Sequence, residues 1–124
     1  MRELVIGFMW FVSSVCYAQS ETITQQTLMI NQMSADAYTI VDVRSPEEFA
    51  AGHIKGAINI PFNEIETHQE ELAKLTDTPL VVYCRSGRRA GIFIEALAPK
   101  GYTLKHLEGD MNKWLAESLP VMKK

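Results

Sequence analysis

The stretch VVYCRSGRRA, residues 81–90, runs an apolar segment into a lone cysteine followed by three arginines, a serine and a glycine. Leu80 to Tyr83 reads as a buried strand, entered through the turn Asp77-Thr78-Pro79. Roughly Arg89 to Ala98 reads as a helix, stopped by Pro99, Lys100 and Gly101. Strand, short loop and helix in that order form the building unit of a parallel sheet. In an open α/β sheet ligands bind outside the carboxyl ends of strands, and Cys84 stands at such an end.

Working outward, the same alternation continues. Tyr38 to Val43 is β-rich and apolar on both faces, as a buried parallel strand requires. Ser45-Pro46-Glu47-Glu48 supplies an N-cap, a proline at the first helical position and a glutamate three residues on, which is a capping box. Gly52 ends that helix, and Ala57 to Pro61 reads as a second short strand. Asn63 is expected to cap a helix through about Leu75, with Ile65, Leu72 and Leu75 inward and Glu64, Glu66, Glu70 and Glu71 on a wet face. Leu104 to Leu107 reads as the last strand. Asp110 is expected to cap a final helix through Leu115, with Trp114 and Leu115 in the core. Upstream, Thr24 caps a helix carrying Leu28, Met29, Gln32 and Met33. The expected fold is α/β, a small parallel sheet flanked by helices on both faces. There is no internal repeat, low-complexity tract or linker.

Residues 1–18, MRELVIGFMWFVSSVCYA, read as an export signal: Arg2, an apolar run from Leu4 to Val15, then Cys16-Tyr17-Ala18 as a cleavage site. The run is shorter than the roughly 20 apolar residues of a membrane-spanning helix. Residues 19–124 are then a single domain, exported and, in a two-membrane bacterium, periplasmic. Cys16 would leave with the signal, so Cys84 would be the sole thiol and could form no internal disulfide. The net charge of −3 argues against nucleic acid or an anionic membrane as a partner. His53, His68 and His106, scattered around one cysteine, give no metal-ligand spacing, and no cofactor is implied.

The loop itself suits an anion. A thiolate, not a thiol, is the nucleophile. Arg85, Arg88 and Arg89 bring positive charge, and the following helix directs its positive end at the sulfur. Gly87 lets successive N–H groups face inward as a nest. An inert core cysteine favours apolar surroundings, which this one lacks.

In order along the chain, Asp42-Val43-Arg44, Glu48-Phe49, Gly52-His53-Ile54, Gly56-Ala57, Asn59-Ile60-Pro61, Tyr83 to Arg89, and Gly109 with Trp114 together resemble a single-domain rhodanese, from about Ile40 to Pro120. The resemblance implies a three-layer rhodanese-like fold and a thiosulfate sulfurtransferase. Cys84 would accept a sulfane sulfur from a small anionic donor such as thiosulfate. The persulfide, held by loop amides from Ser86 and Gly87 onward, would pass its sulfur to cyanide or a thiol. Arg85 and Arg88 would help bind the donor, and Arg89 would close the loop onto the sheet or share in donor binding. Asp42 and Arg44 would form a buried polar pair shaping the base of the site, with Glu48 a helix-cap residue first and a partner for Arg44 second. The family often has glycine where Asp110 and Ser118 stand here.

Two other readings use the same residues. A cysteine phosphatase or arsenate reductase also pairs a cysteine with a nest and an arginine, but its loop is one residue longer than the four between Cys84 and Arg89. A dedicated persulfide carrier for a protein partner, or a binding module, would keep the fold and loop while turning over small substrates only incidentally. His53 is expected to be structural, His68 solvated and His106 without a partner.

Overall fold

The computed structural model describes residues 21–124; the expected signal at residues 1–18 lies outside them. Five parallel strands form one sheet in the order β1-β5-β4-β2-β3. The strands are β1 (Glu21–Ile23), β2 (Thr39–Asp42), β3 (Ile58–Asn59), β4 (Leu80–Tyr83) and β5 (Leu104–Leu107). The helices are α1 (Gln25–Asn31), α2 (Pro46–Ala51), α3 (Gln69–Ala73), α4 (Arg88–Leu97) and α5 (Asp110–Ala116).

β4 lies at the centre and its four residues are all buried. Because side chains alternate across a strand, Leu80, Val82 and Cys84 join one core with Leu72, Phe93 and Leu97 from α3 and α4. Val81 and Tyr83 join a second core with Leu28, Met111 and Trp114 from α1 and α5. The sheet is therefore covered on both faces, as the sequence leads one to expect. On α4 the buried positions are Ala90, Phe93, Ile94 and Leu97, the spacing of a single helical stripe. Each large apolar side chain so buried contributes about 1.5–3 kcal/mol.

Local signals fix the helix starts. The Thr24 hydroxyl accepts the Thr27 N–H at 3.1 Å. At α2 the Ser45 hydroxyl accepts the Glu48 N–H at 3.2 Å, and Glu48 Oε1 accepts the Ser45 N–H at 3.0 Å, completing the capping box. Phe49 of α2 stacks on His53 with ring centroids 3.7 Å apart, and the His53 main chain pairs with Met122. His53 is thus a structural residue of this turn.

Two expectations about these elements need correction, and one strand is added. The segment from Asn63 to Leu75 is not one helix: a 3₁₀ turn at Glu66–His68 precedes the short α3. Its main-chain bonds run three residues back, from Glu64 to Pro61, Thr67 to Glu64 and His68 to Ile65, so the chain winds too tightly for Asn63 to cap an α-helix. Leu115 is 53% exposed and stands at the rim of a cleft rather than in the core. Finally, β1 is an additional edge strand, paired with β5 through Glu21, Thr22 and Ile23.

Candidate active site

Cys84 follows β4 directly and is 1% exposed. It faces the α4 layer, and its Sγ accepts the main-chain N–H of Gly87 at 3.0 Å and of Ala90 at 3.3 Å. Gly87 precedes α4 with φ +121°, a conformation L side chains rarely adopt. That glycine lets the chain fold back so that two amides at the start of a ten-residue helix point at the sulfur. The arrangement stabilises negative charge on sulfur through both hydrogen bonds and the helix dipole.

The remaining loop residues divide into two groups. Arg85, Ser86 and Arg88 are exposed on the loop's outer side. Arg89 turns away, forming a two-pronged ion pair with Glu48 at 2.7 and 3.1 Å. The loop is therefore closed onto α2 rather than onto the sheet, and Glu48 partners Arg89 instead of Arg44. The Arg89 hydrogen bonds hold the Glu48 carboxyl at about 2, against an ordinary 4.5, with further help from Ser45. Glu48 in turn raises Arg89 above its usual value.

This depressed carboxyl makes the pair acid-sensitive. Its contribution is complete above the unfolded value near 4.5 and is lost as pH falls through the folded value near 2. Both side chains are partly exposed, at 24% and 30%, so solvent screening limits the pair to about 1 kcal/mol. Urea denaturation should show Glu48→Gln less stable than the unmutated protein by that amount at neutral pH. The gap should close between these two pH values; a gap that persists below both would contradict the assignment.

Asp42 is the last residue of β2 and Arg44 lies just beyond it. The Arg44 guanidinium donates to both Asp42 oxygens, at 2.6–3.1 Å, and to the Gly52 carbonyl at 2.7 Å. The Tyr83 hydroxyl donates to Asp42 Oδ2 at 2.7 Å and accepts the Ile54 N–H at 3.1 Å. Burial pushes the Tyr83 phenol well above its usual value, and the Asp42 charge adds to this. For Arg44, burial favours the neutral form, but hydrogen bonding to Asp42 and its charge more than offset that and raise the guanidinium. Tyr83 belongs to the core opposite Cys84, so this cluster braces the strand ends from the far side of the sheet. Asn59 Nδ2 ties in β3 by donating to the carbonyls of Asp42 and Arg44.

Two residues whose connection was not anticipated border the loop. The Asp110 carboxylate accepts the Cys84 main-chain N–H at 3.0 Å, and His106 Nε2 lies 2.9 and 3.1 Å from its two oxygens. Gly109, not Asp110, is the N-cap of α5, and no side chain caps it. His106 therefore has a partner, and Asp110 is not the cap. Their separation of four residues is a sequence signal that shows its meaning only once β5 and α5 meet. Beside the loop opens a cleft of about 490 Å³, bordered by Arg44, Arg85, Met111, Asn112 and Leu115 among others. It adjoins the loop through Met111 and Asn112, whose N–H groups donate to the carbonyls of Cys84 and Arg85.

A rhodanese-like domain matches residues 25–117. A sulfurtransferase of Allochromatium vinosum is 33% identical over 75% of this chain and 88% of its own. The human thiosulfate:glutathione sulfurtransferase is 36% identical over 61% of this chain and 77% of its own. Two longer relatives are spanned over only 48% and 56% of their length. Among solved structures, a rhodanese-related protein from Thermoplasma volcanium superposes with a TM-score of 0.74 at 32% identity, over 84% of this chain and 99% of that one. These relatives support sulfur transfer as the general activity, and the chain belongs to the rhodanese family.

Proposed function

We propose that the protein is a thiosulfate sulfurtransferase working through a persulfide on Cys84. The observation that carries this reading is the pair of amides, Gly87 and Ala90, directed at a single sulfur at a strand end. In the first half-reaction the Cys84 thiolate attacks the outer sulfur of thiosulfate. A new S–S bond forms, the old one breaks, and sulfite leaves with the electron pair. In the second, cyanide or a thiolate attacks the terminal sulfur, the persulfide bond breaks, and the Cys84 thiolate is restored. Charge stays on sulfur at the loop throughout, which is what fixed N–H dipoles stabilise without rearranging. Steady-state kinetics with thiosulfate and cyanide should give the parallel-line pattern of double displacement. Intersecting lines, requiring both substrates to be bound together, would contradict the mechanism.

Arg85 and Arg88 are the exposed cations nearest in sequence to the sulfur, and they suit a dianionic donor. Because solvent screens them, each contact is worth about 1 kcal/mol. Arg85→Ala and Arg88→Ala should each raise the thiosulfate KM roughly fivefold, while leaving reaction with a neutral persulfide donor nearly unchanged. Equal losses with both donors would assign these arginines to holding the loop instead.

A further inference from the structure

The pair of half-buried His106 and buried Asp110 enters no step of sulfur transfer, yet it touches the loop at two points. Asp110 is 2% exposed. Its Oδ1 accepts the Cys84 N–H just past the last β4–β5 pairing, Val82 with His106, so the carboxylate takes the place of a strand partner. An ionised carboxylate can only accept, so the facing His106 Nε2 carries the hydrogen that orients it. A Cβ placed on Gly87 would stand 3.2 Å from Asp110 Oδ2 and 3.6 Å from His106 Cε1. A side chain at Gly87 would therefore press on the same pair. One carboxylate thus abuts both the residue that bears the sulfur and the residue whose N–H holds it.

Asp110 adopts φ +55°, a left-handed conformation that favours glycine over an L side chain. Strain held next to a reactive group points from structure toward function. We propose that Asp110, oriented by His106, is a positioning residue that fixes Cys84 and Gly87 relative to one another. It keeps the Gly87 amide directed at the sulfur. The proposal rests on the reading of Cys84 as the sulfur carrier.

Asp110→Gly relieves the backbone while deleting the anchor, two effects on stability that oppose each other, so the variant should fold about as well as its parent while working less well. With thiosulfate and cyanide its kcat should fall roughly 10- to 100-fold, the scale of a modest misplacement. Its thiosulfate KM should stay within about twofold, because a transition-state interaction rather than ground-state binding is lost. Asp110→Asn keeps a carbonyl oxygen for the Cys84 N–H, and His106 can change tautomer to accept from the amide. It should recover kcat to within about fivefold of the parent. Hydrogen exchange at the Cys84 amide, followed by NMR, should accelerate in the glycine variant and not in the asparagine one. Unchanged kcat in Asp110→Gly, a rise in KM alone, or an asparagine variant as impaired as the glycine one would overturn the proposal. Should the unmutated protein transfer no sulfur, the sulfur-carrier reading falls. Amide exchange then decides the anchor alone: faster exchange in Asp110→Gly upholds it, and unchanged exchange overturns it.

Discussion

Cys84→Ser should lower thiocyanate formation from thiosulfate and cyanide to the uncatalysed background, a loss on the order of 10³-fold or more. The serine hydroxyl fits the space of the thiol and can accept the same N–H groups from Gly87 and Ala90, so the loop keeps its shape. At neutral pH, however, that hydroxyl stays protonated and is a weak nucleophile. Thermal unfolding should be close to that of the parent, because a polar atom replaces a sulfur that already sits among hydrogen-bond donors. Activity and melting measured on the same preparation separate the two effects. Substantial turnover in the serine variant would show that the nucleophile lies elsewhere.

Asp42→Ala should produce the largest loss of stability of any substitution near the site, about 3–5 kcal/mol. Asp42 is fully buried and accepts from the Arg44 main chain, the Arg44 guanidinium and the Tyr83 hydroxyl. Its removal strands a cation that is itself 6% exposed, together with a buried phenol that loses its acceptor. Set against a typical total of about 5–15 kcal/mol, that is a loss of about a fifth or more. Denaturation in urea should show it as a lower midpoint at unchanged slope. Tyr83→Phe removes a hydroxyl that donates to Asp42 and accepts from the Ile54 N–H, leaves the guanidinium paired, and should cost about 1–3 kcal/mol. A loss below about 1 kcal/mol in Asp42→Ala would mean the guanidinium finds water or another acceptor, and that the cluster does not brace the strand ends.

Much of this architecture is legible in the sequence because it is written in local chemistry. Leu80 to Tyr83 is apolar on both faces because β4 is central and covered twice. Ser45, Pro46 and Glu48 announce α2 because each meets a separate demand of a helix N-terminus. Cys84 is recognisable because a strand end, a glycine and a helix start follow one another without interruption. β1 gives no such signal: two of its three residues are exposed, so no apolar run or alternation marks an edge strand of that length.

What the sequence conceals is tertiary pairing. Glu48 and Arg89 are 41 positions apart, and nothing local tells Glu48 to choose Arg89 over Arg44. Asp110 resembles a helix cap by type and place, but its positive φ turns the carboxylate beneath the loop. Ser118 likewise has φ +58°. The two positions at which the chain departs from the family's frequent glycines are thus both left-handed. The departures are conservative in fold and, at Asp110, place new chemistry against the loop.

In the proposed mechanism sulfur resides covalently on Cys84 between donor and acceptor. The direct test mixes the protein with thiosulfate in the absence of any acceptor, then measures protein mass and released sulfite together. The expected result is one added sulfur atom per chain, located on the peptide containing Cys84, an equal amount of sulfite, and loss of the added mass when cyanide follows. Sulfite that forms only when cyanide is also present, with no mass change on Cys84 at any stage, would contradict it.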